Sequence, residues 1–295
     1  MRITLAMSQS KTTQNINNKQ VDISQLSKML SSGKRLQDPH DDPSAWSQAM
    51  DIKQGIRELT AFEENMDFTM SWSQSTENAL NQFADLLTRA KGTAMKAMQQ
   101  TTEAEQTANY ENMKQMTDSA LSLANSQYGN SYLFSGRSTS TTPFNSVDFS
   151  YQGDTEPLKV RVGKNSHQTV NLDGQTVFFT DPDDESTNML TALNDLATAI
   201  QTGDKDTIQS RMGTLDEAFN HISSMQATVG ARMADVEQRQ NILGSIKVDR
   251  QDLLADTEEA DVVDVITKLQ MKKTALEATL QSTALVRGLN LTNYL

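Results

Sequence analysis

The pair Gly33-Lys34, within "MLSSGKRLQDPHDDPSAWSQ" at Met29–Gln48, has the residue types of a phosphate-gripping turn. A nucleotide loop of that kind also needs a glycine five residues earlier and a hydroxyl after the lysine, so that backbone N–H groups and a magnesium ligand converge on phosphate. Lys28 and Arg35 stand at those positions, and the chemistry fails. His40, His167 and His221 have no partner at metal-ligand spacing and read as surface residues. "DPDDE" at 181–185 lacks the glycine and distal glutamate of a calcium loop and reads as a solvated turn capping the helix that follows. The absence of cysteine excludes disulfides, thiolate zinc sites and cysteine nucleophiles. No nucleophile, base and oxyanion donor fall together into one pocket, so the expectation is no catalysis, no cofactor and no metal.

Composition agrees with a chain that does no chemistry. Of 295 residues, 36% are hydrophobic and 5% aromatic, against a usual apolar share of about 45–50%. A net charge of −12 repels nucleic acid and anionic lipid alike, so neither is an expected partner. No run approaches the roughly 18 apolar residues of a membrane span. The opening "MRITLAMSQSKTTQNINNKQ" lacks the apolar stretch of a cleaved secretory signal, so leaving the cell would require another route.

What the sequence does contain is helical periodicity. Ile52, Ile56, Leu59, Glu63, Met66, Met70, Ser73, Glu77, Leu80, Ala84, Leu87, Lys91, Ala94 and Met98 keep one 3,4 register. A second run of equal length goes from Ile208 through Met212, Leu215, Phe219, Ile222, Gln226, Val229, Met233, Val236, Gln240, Leu243, Lys247 and Arg250 to Leu254. Equal lengths suggest antiparallel pairing. A helix opening at the capping box Thr102-x-x-Glu105 and stopping at Gly129, and another around Leu190–Ile200 stopping at Gly203, fit between them. In 137–185, "FSYQGDTEPLKVRV" and "VNLDGQTVFF" alternate with period two around Gln152-Gly153-Asp154 and Asp173-Gly174, which predicts hairpins resting on the bundle tip.

The expected fold is mainly α: an elongated antiparallel helical bundle or coiled coil with paired terminal helices and a small β insertion domain. The segments are 1–42 (N-terminal helix and joint, paired with the C-terminus), 43–136 and 186–255 (helical body), 137–185 (β-rich insertion) and 256–295 (C-terminal helix). Leu5, Ile16, Ile23, Leu26 and Leu30 form one tail stripe, and Val262, Ile266, Leu269, Leu276 and Leu280 the other. These ten are the expected subunit-interface residues. Gly33, Pro39, Asp42 and Pro43 make one joint, where the glycine ends a helix, the first proline forbids continuation, and Asp-Pro caps the next. Asp261, inside "DTEEAD", marks the other.

Residues 1–37 carry Arg2, Lys11, Lys19, Lys28, Lys34 and Arg35 against Asp22 alone, whereas 252–264 are wholly acidic among charged residues. Complementary fields draw such tails together, within a chain or between copies. Their apolar stripes are so thin that ordered helix is expected only when many copies pack.

"LSSGKRLQDPHDDPSAWSQAM" at Leu30–Met50, joined to Glu259-Ala260-Asp261 and the closing "VVDVITKLQMKKTALEATLQSTALVRGLNLTNYL", resembles the flagellin family. The start "MRIT" at Met1–Thr4 and "YGNSYLFSGRSTSTTPF" at Tyr128–Phe144 are similar to its hook-associated members, and the Ile-Asn-Thr-Asn of filament flagellins is missing. The resemblance implies a structural subunit of the bacterial flagellum, secreted by the flagellar type III export route. It implies a homo-oligomeric adaptor ring at the hook-filament junction, packed axially through its terminal helices between flagellin and a neighbouring hook-associated protein. It also implies an export chaperone on the C-terminal helix. The alternatives are a filament flagellin and, from a different class, a free coiled-coil scaffold protein.

Overall fold

Each helix after the first begins where a side chain can accept the first free N–H groups. In the computed structural model, which describes residues 5–100 and 102–292, the elements are α1 (Leu5–Ser32), α2 (Pro43–Met98), α3 (Glu103–Ala124), β1 (Gln127–Tyr128), β2 (Ser131–Tyr132), β3 (Lys159–Arg161), β4 (His167–Thr169), α4 (Gly174–Phe178), a 3₁₀ turn (Glu185–Thr187), α5 (Met189–Thr202), α6 (Lys205–Glu258) and α7 (Val262–Thr292). The opening Met1–Thr4 lies outside the described residues, as do 293–295. The chain divides into two compact units, Met1–Glu58 with Ile246–Leu295, and Leu59–Ser245.

In the Leu59–Ser245 unit, α2 and α6 run antiparallel. Polar pairs mark their register: Lys91 Nζ to Asp216 Oδ1 at 2.5 Å, Gln226 Nε2 to Asn81 Oδ1 at 2.8 Å and Gln240 Nε2 to Asp67 Oδ1 at 2.8 Å. Every step back along α2 is matched by an equal step forward along α6. Between them Leu80, Phe83, Leu87, Leu193, Leu196, Ile200, Leu215 and Ile222 fill one core with Met113 and Ala120 of α3. The capping box at the start of α3 is present, with Thr102 Oγ1 accepting from Glu105 N and Glu105 Oε2 from Thr102 N.

Two expectations are corrected here. The helix before the insertion stops at Asn125, not Gly129, because the Asn125 amide accepts from Phe144 N (2.9 Å) and donates to Phe144 O (3.0 Å), diverting the chain. Gly129 instead sits in the turn of the β1–β2 hairpin, where Gln127 pairs with Tyr132 and Tyr128 with Ser131. Asp173-Gly174 is likewise no hairpin turn. The Asp173 carboxylate accepts from Thr176 N (2.7 Å) and Thr176 Oγ1 (2.8 Å), which starts α4. The hairpin in this segment, β3–β4, turns earlier, with Val162 N donating to Ser166 O at 3.0 Å.

The insertion shares the helical core and does not rest on its end. Phe178 of α4 meets Phe83 of α2 edge-on at 4.9 Å, Phe134 at 5.1 Å and Phe144 at 5.3 Å between ring centroids. Tyr151 ties its loops: the hydroxyl lies 3.0 Å from Phe134 O and 2.9 Å from Asp154 O, and accepts from Gly174 N at 3.3 Å. Burial, with the nearby Asp173 and Asp154 charges, pushes this phenol far above its ordinary range despite the Gly174 bond. The hairpin is pinned to α2 by Asn65 Nδ2 donating to Arg161 O (2.7 Å) and by the Arg161 guanidinium over Phe62, and Arg232 of α6 donates to Asn171 O at 2.9 Å.

The terminal unit holds α1 and α7 as an antiparallel pair. Lys272 Nζ lies 2.6 Å from Asp22 Oδ2, and Lys19 Nζ donates to Thr279 Oγ1 (2.6 Å) and Ala275 O (3.0 Å). The tails, expected to become helical only among other copies, are thus helical against each other. The polar bridges and a thin apolar seam supply what a lone stripe lacks.

Candidate functional site: paired terminal helices and their joint

The joint is built from the residues whose types marked it in the sequence. Gly33 takes the left-handed conformation (φ +69°) and donates to Met29 O at 2.8 Å, ending α1. Pro39 occupies the second position of the Asp38–Asp41 turn, where Asp41 N donates to Asp38 O at 3.1 Å. The Asp41 carboxylate accepts from Asp38 N and Gln37 N, and those two bonds hold it below the usual carboxylate range. Asp42 caps α2 by accepting from Ala45 N at 3.1 Å, with Pro43 as the first helical residue. Asp261 does the same for α7, accepting from Val263 N (2.9 Å) and Asp264 N (3.1 Å).

The two joints are stitched to each other. Lys34 and Glu259 form an antiparallel bridge, with Arg35 N donating to Glu258 O at 2.8 Å and Ala260 N to Gly33 O at 2.9 Å. The Arg35 guanidinium adds a bond to Thr257 O at 2.9 Å. Glu258, a residue the sequence reading left inside an acidic run, is buried, with Lys34 Nζ on Oε1 and Lys53 Nζ 2.5 Å from Oε2. Burial raises its pKa, but bonds and charge from Lys34 and Lys53 outweigh burial and leave the carboxyl below its ordinary value. One signal could have found it: Glu258 follows Leu254 by four residues and so continues the apolar face of α6.

Nine of the ten tail residues divide between a seam and an outer face, and the side chain of Leu5 lies outside the described residues. Ile16, Ile23 and Leu26 of α1 are half-buried, as is Leu276 of α7, while Leu269 is 8% exposed. Val265, off the expected stripe, is also buried. Val262 (46% exposed), Ile266 (42%), Leu280 (47%) and Leu30 stay outside, joined by Val21, Val263, Met271 and Leu285. Leu5 opens α1.

Among the described residues no group of three His, Cys, Asp or Glu side chains is placed to hold a metal, and no helix is long and apolar enough to cross a membrane. His221, read as a surface residue, is half-buried, its Nε2 donating to Thr176 O at 2.8 Å. Asp184 caps the 3₁₀ turn by accepting from Ser186 N at 2.9 Å, whereas the next α-helix, α5, is capped not by the acidic run but by Asn188, which accepts from Leu190 N at 2.9 Å. An open cleft of about 620 Å³ beside α2 and α3, lined by Gln82, Asp85, Arg89 and Ser119 among others, contains neither histidine nor cysteine.

The Leu59–Ser245 unit is thus built on a long antiparallel helix pair, and the terminal unit on paired, incompletely covered helices. Residues 3–139 match the bacterial flagellin N-terminal helical region. Along its length it is similar to the flagellar hook-associated protein 3 of Escherichia coli (strain K12), at 26% identity over 99% of this chain and 98% of that protein. A flagellin of Salmonella muenchen is also 26% identical, over 74% of this chain but 40% of the flagellin. The crystal structure of the flagellar junction protein FlgL from Legionella pneumophila has the same fold, with TM-score 0.56 and 16% identity over 73% of this chain and 100% of that one.

Proposed function

We propose that this chain is a structural subunit of the bacterial flagellum, an adaptor that joins hook to filament. It works by axial packing: copies form a ring, and the outer faces of α1 and α7 bury their apolar residues against neighbouring subunits. The neighbours are flagellin on one side and another hook-associated protein on the other. It catalyses nothing, leaves the cell through the flagellar export route, and is held before export by a chaperone on α7.

One observation carries the reading. The tail pair keeps Val262, Ile266 and Leu280 uncovered, in a chain similar over nearly its whole length to a hook-associated protein. The filament-flagellin alternative is weakened by the coverage, since this chain accounts for 40% of the flagellin it matches. Gene deletion separates the two. Loss of an adaptor leaves hooks that shed flagellin monomers into the medium, whereas loss of a filament flagellin leaves the junction present and capped. Labelled antibody on intact flagella locates the protein directly, and a signal spread along the filament overturns the adaptor reading.

A further inference from the structure

The charge on the insertion is sorted into two patches. From Pro157 to Leu172 the chain carries Lys159, Arg161 and Lys164 and no carboxylate, in a molecule whose net charge is −12. The β3–β4 register sets Lys159 opposite Thr169 and Arg161 opposite His167, while Val160 and Val162, on the alternate face, pack toward Met66 and Val236. Lys159, Arg161, Lys164 and His167 are all exposed. Arg161 lies over the Phe62 ring and its Nε donates to Gly163 O, and neither contact neutralises it. Arg232 stands in a groove that it shares with Gln168 of the hairpin, half-buried, with one nitrogen donating to Asn171 O. Burial lowers its pKa, and no carboxylate opposes the shift. Asp235, in the same groove, is held by Arg239, and Asp67 of α2 by Gln240. Among the described residues, Lys159, Arg161, Lys164 and Arg232 have no carboxylate within 4.0 Å, whereas Lys91, Arg211 and Arg239 of the same unit each have one.

The opposite patch follows α4. No lysine or arginine occurs from Asn165 to Asp204. In that stretch Asp173 and Asp204 cap helices and Asp195 is held by Arg211, but Asp181, Asp183, Asp184 and Glu185 stay exposed. Within one chain the two patches do not neutralise each other. The hairpin is pinned at Asn65 of α2, and the acidic turn follows Phe178, which meets Phe83. About 27 Å of helix separates Asn65 from Phe83, well beyond the roughly 8–10 Å over which exposed charges attract in salt. Each patch therefore keeps its like-charge repulsion in the single chain, and a surface of opposite sign relieves it.

We propose that the β3–β4 hairpin, with Arg232 beside it, docks the acidic 181–185 turn of a second copy and so joins neighbours head to tail. The occupant is a second copy because this chain displays the complement itself, uncovered, on the same compact unit. A patch that meets a different patch makes a heterologous contact, which repeats from copy to copy and does not stop at a pair. The contact deepens the ring reading given above and rests on it for its setting, adding a lateral meeting of Leu59–Ser245 units to the packing of terminal helices. Single exposed ion pairs contribute little, so it selects and orients neighbours more than it binds them.

Water-soluble carbodiimide on intact flagella tests this, since it joins an amine to a touching carboxylate as an amide with loss of water. The expected product is a ladder of multimers running past the dimer, with mapped links from Lys159 or Lys164 to residues 181–185. Lys159→Glu with Lys164→Glu should remove those links and lower incorporation about fivefold in competition with the parent. Adding Asp183→Lys with Glu185→Lys should restore incorporation. All four side chains are exposed, so Leu59–Ser245 should melt as in the parent, which separates a lost contact from a lost fold. Links that omit 181–185, links to a different protein in their place, or reversal variants that incorporate like the parent overturn the contact between copies. A swap that fails to restore incorporation while the unit melts normally does the same. If the labelled antibody finds the chain away from the junction, the adaptor reading falls, and hairpin-to-turn links wherever it assembles still uphold the contact. If the parent joins no flagellum, the concentrated purified chain takes the same treatment, and absence of the hairpin-to-turn link there overturns the contact.

Discussion

At the scale of single residues, three side chains make sharp tests. Gly136 has φ +68°, and a Cβ there would lie 1.6 Å from the Asp154 carbonyl oxygen, a backbone atom that cannot swing away. Gly136→Ala should therefore cost at least about 2 kcal/mol in the Leu59–Ser245 unit, read by calorimetry. Tyr151→Phe removes the hydroxyl that lies between Phe134 O and Asp154 O and accepts from Gly174 N, at a cost of about 1–3 kcal/mol. Glu258 gives a pH test. Its folded carboxyl lies below the ordinary value, so its stabilising contribution is present above that value and disappears as pH falls through the folded pKa. Helicity of the terminal unit should fall on acidification below about pH 4.5, the ordinary carboxyl value, in the parent. Glu258→Gln should flatten that part of the profile, and an identical acid profile in both would refute it. The sequence could be read well at this scale where a residue acts on its immediate neighbours: the Thr102–Glu105 box and the Asp42-Pro43 cap are local chemistry. Asp173-Gly174 was misread because aspartate serves a hairpin and a helix cap equally, and only the burial of Val177 and Phe178 decides.

At the scale of elements, periodicity was a good guide where two helices bury a full face. Every position of the α2 run from Ile52 to Met98 is buried or half-buried, including Glu63, Glu77 and Lys91. In α6 the run loses Phe219, which is exposed while Ala218 is buried. The tails were harder, since α7 has apolar residues on more than one face. The seam passes through Val265, Leu269 and Leu276 because Lys19 and Asp22 of α1 reach Thr279 and Lys272. A pair of variants separates the two faces. Leu269→Ala should destabilise the α1–α7 pair by about 2 kcal/mol, seen as faster amide exchange in both helices. Ile266→Ser, on the outer face, should leave monomer exchange within about 0.5 kcal/mol of the parent and still reduce incorporation on hook fragments. Equal exchange changes in both would dissolve the distinction between seam and outer face.

At the scale of the whole molecule, the two units differ in where their apolar residues lie. The large aromatic core lies in Leu59–Ser245, whereas the uncovered apolar series on α1 and α7 lies in the terminal unit. Removing α7 (Val262–Thr292) should leave the melting of Leu59–Ser245 unchanged within about 1 kcal/mol while abolishing incorporation, and a collapse of that unit would show the division to be wrong. The sequence conveyed this partition through composition: the tails are poor in apolar residues and carry separated charge. It could not convey the shared core of the insertion, because Phe134, Phe144 and Phe178 are far from Phe83 in the chain and meet only once the helices are placed.

The cross-links between α2 and α6 have a mechanical consequence. Lys91–Asp216, Asn81–Gln226 and Asp67–Gln240 share a single offset, so a slip of one helix past the other breaks all three together. Such a pair does not creep under load along its axis. It stays indexed until it yields in one abrupt event.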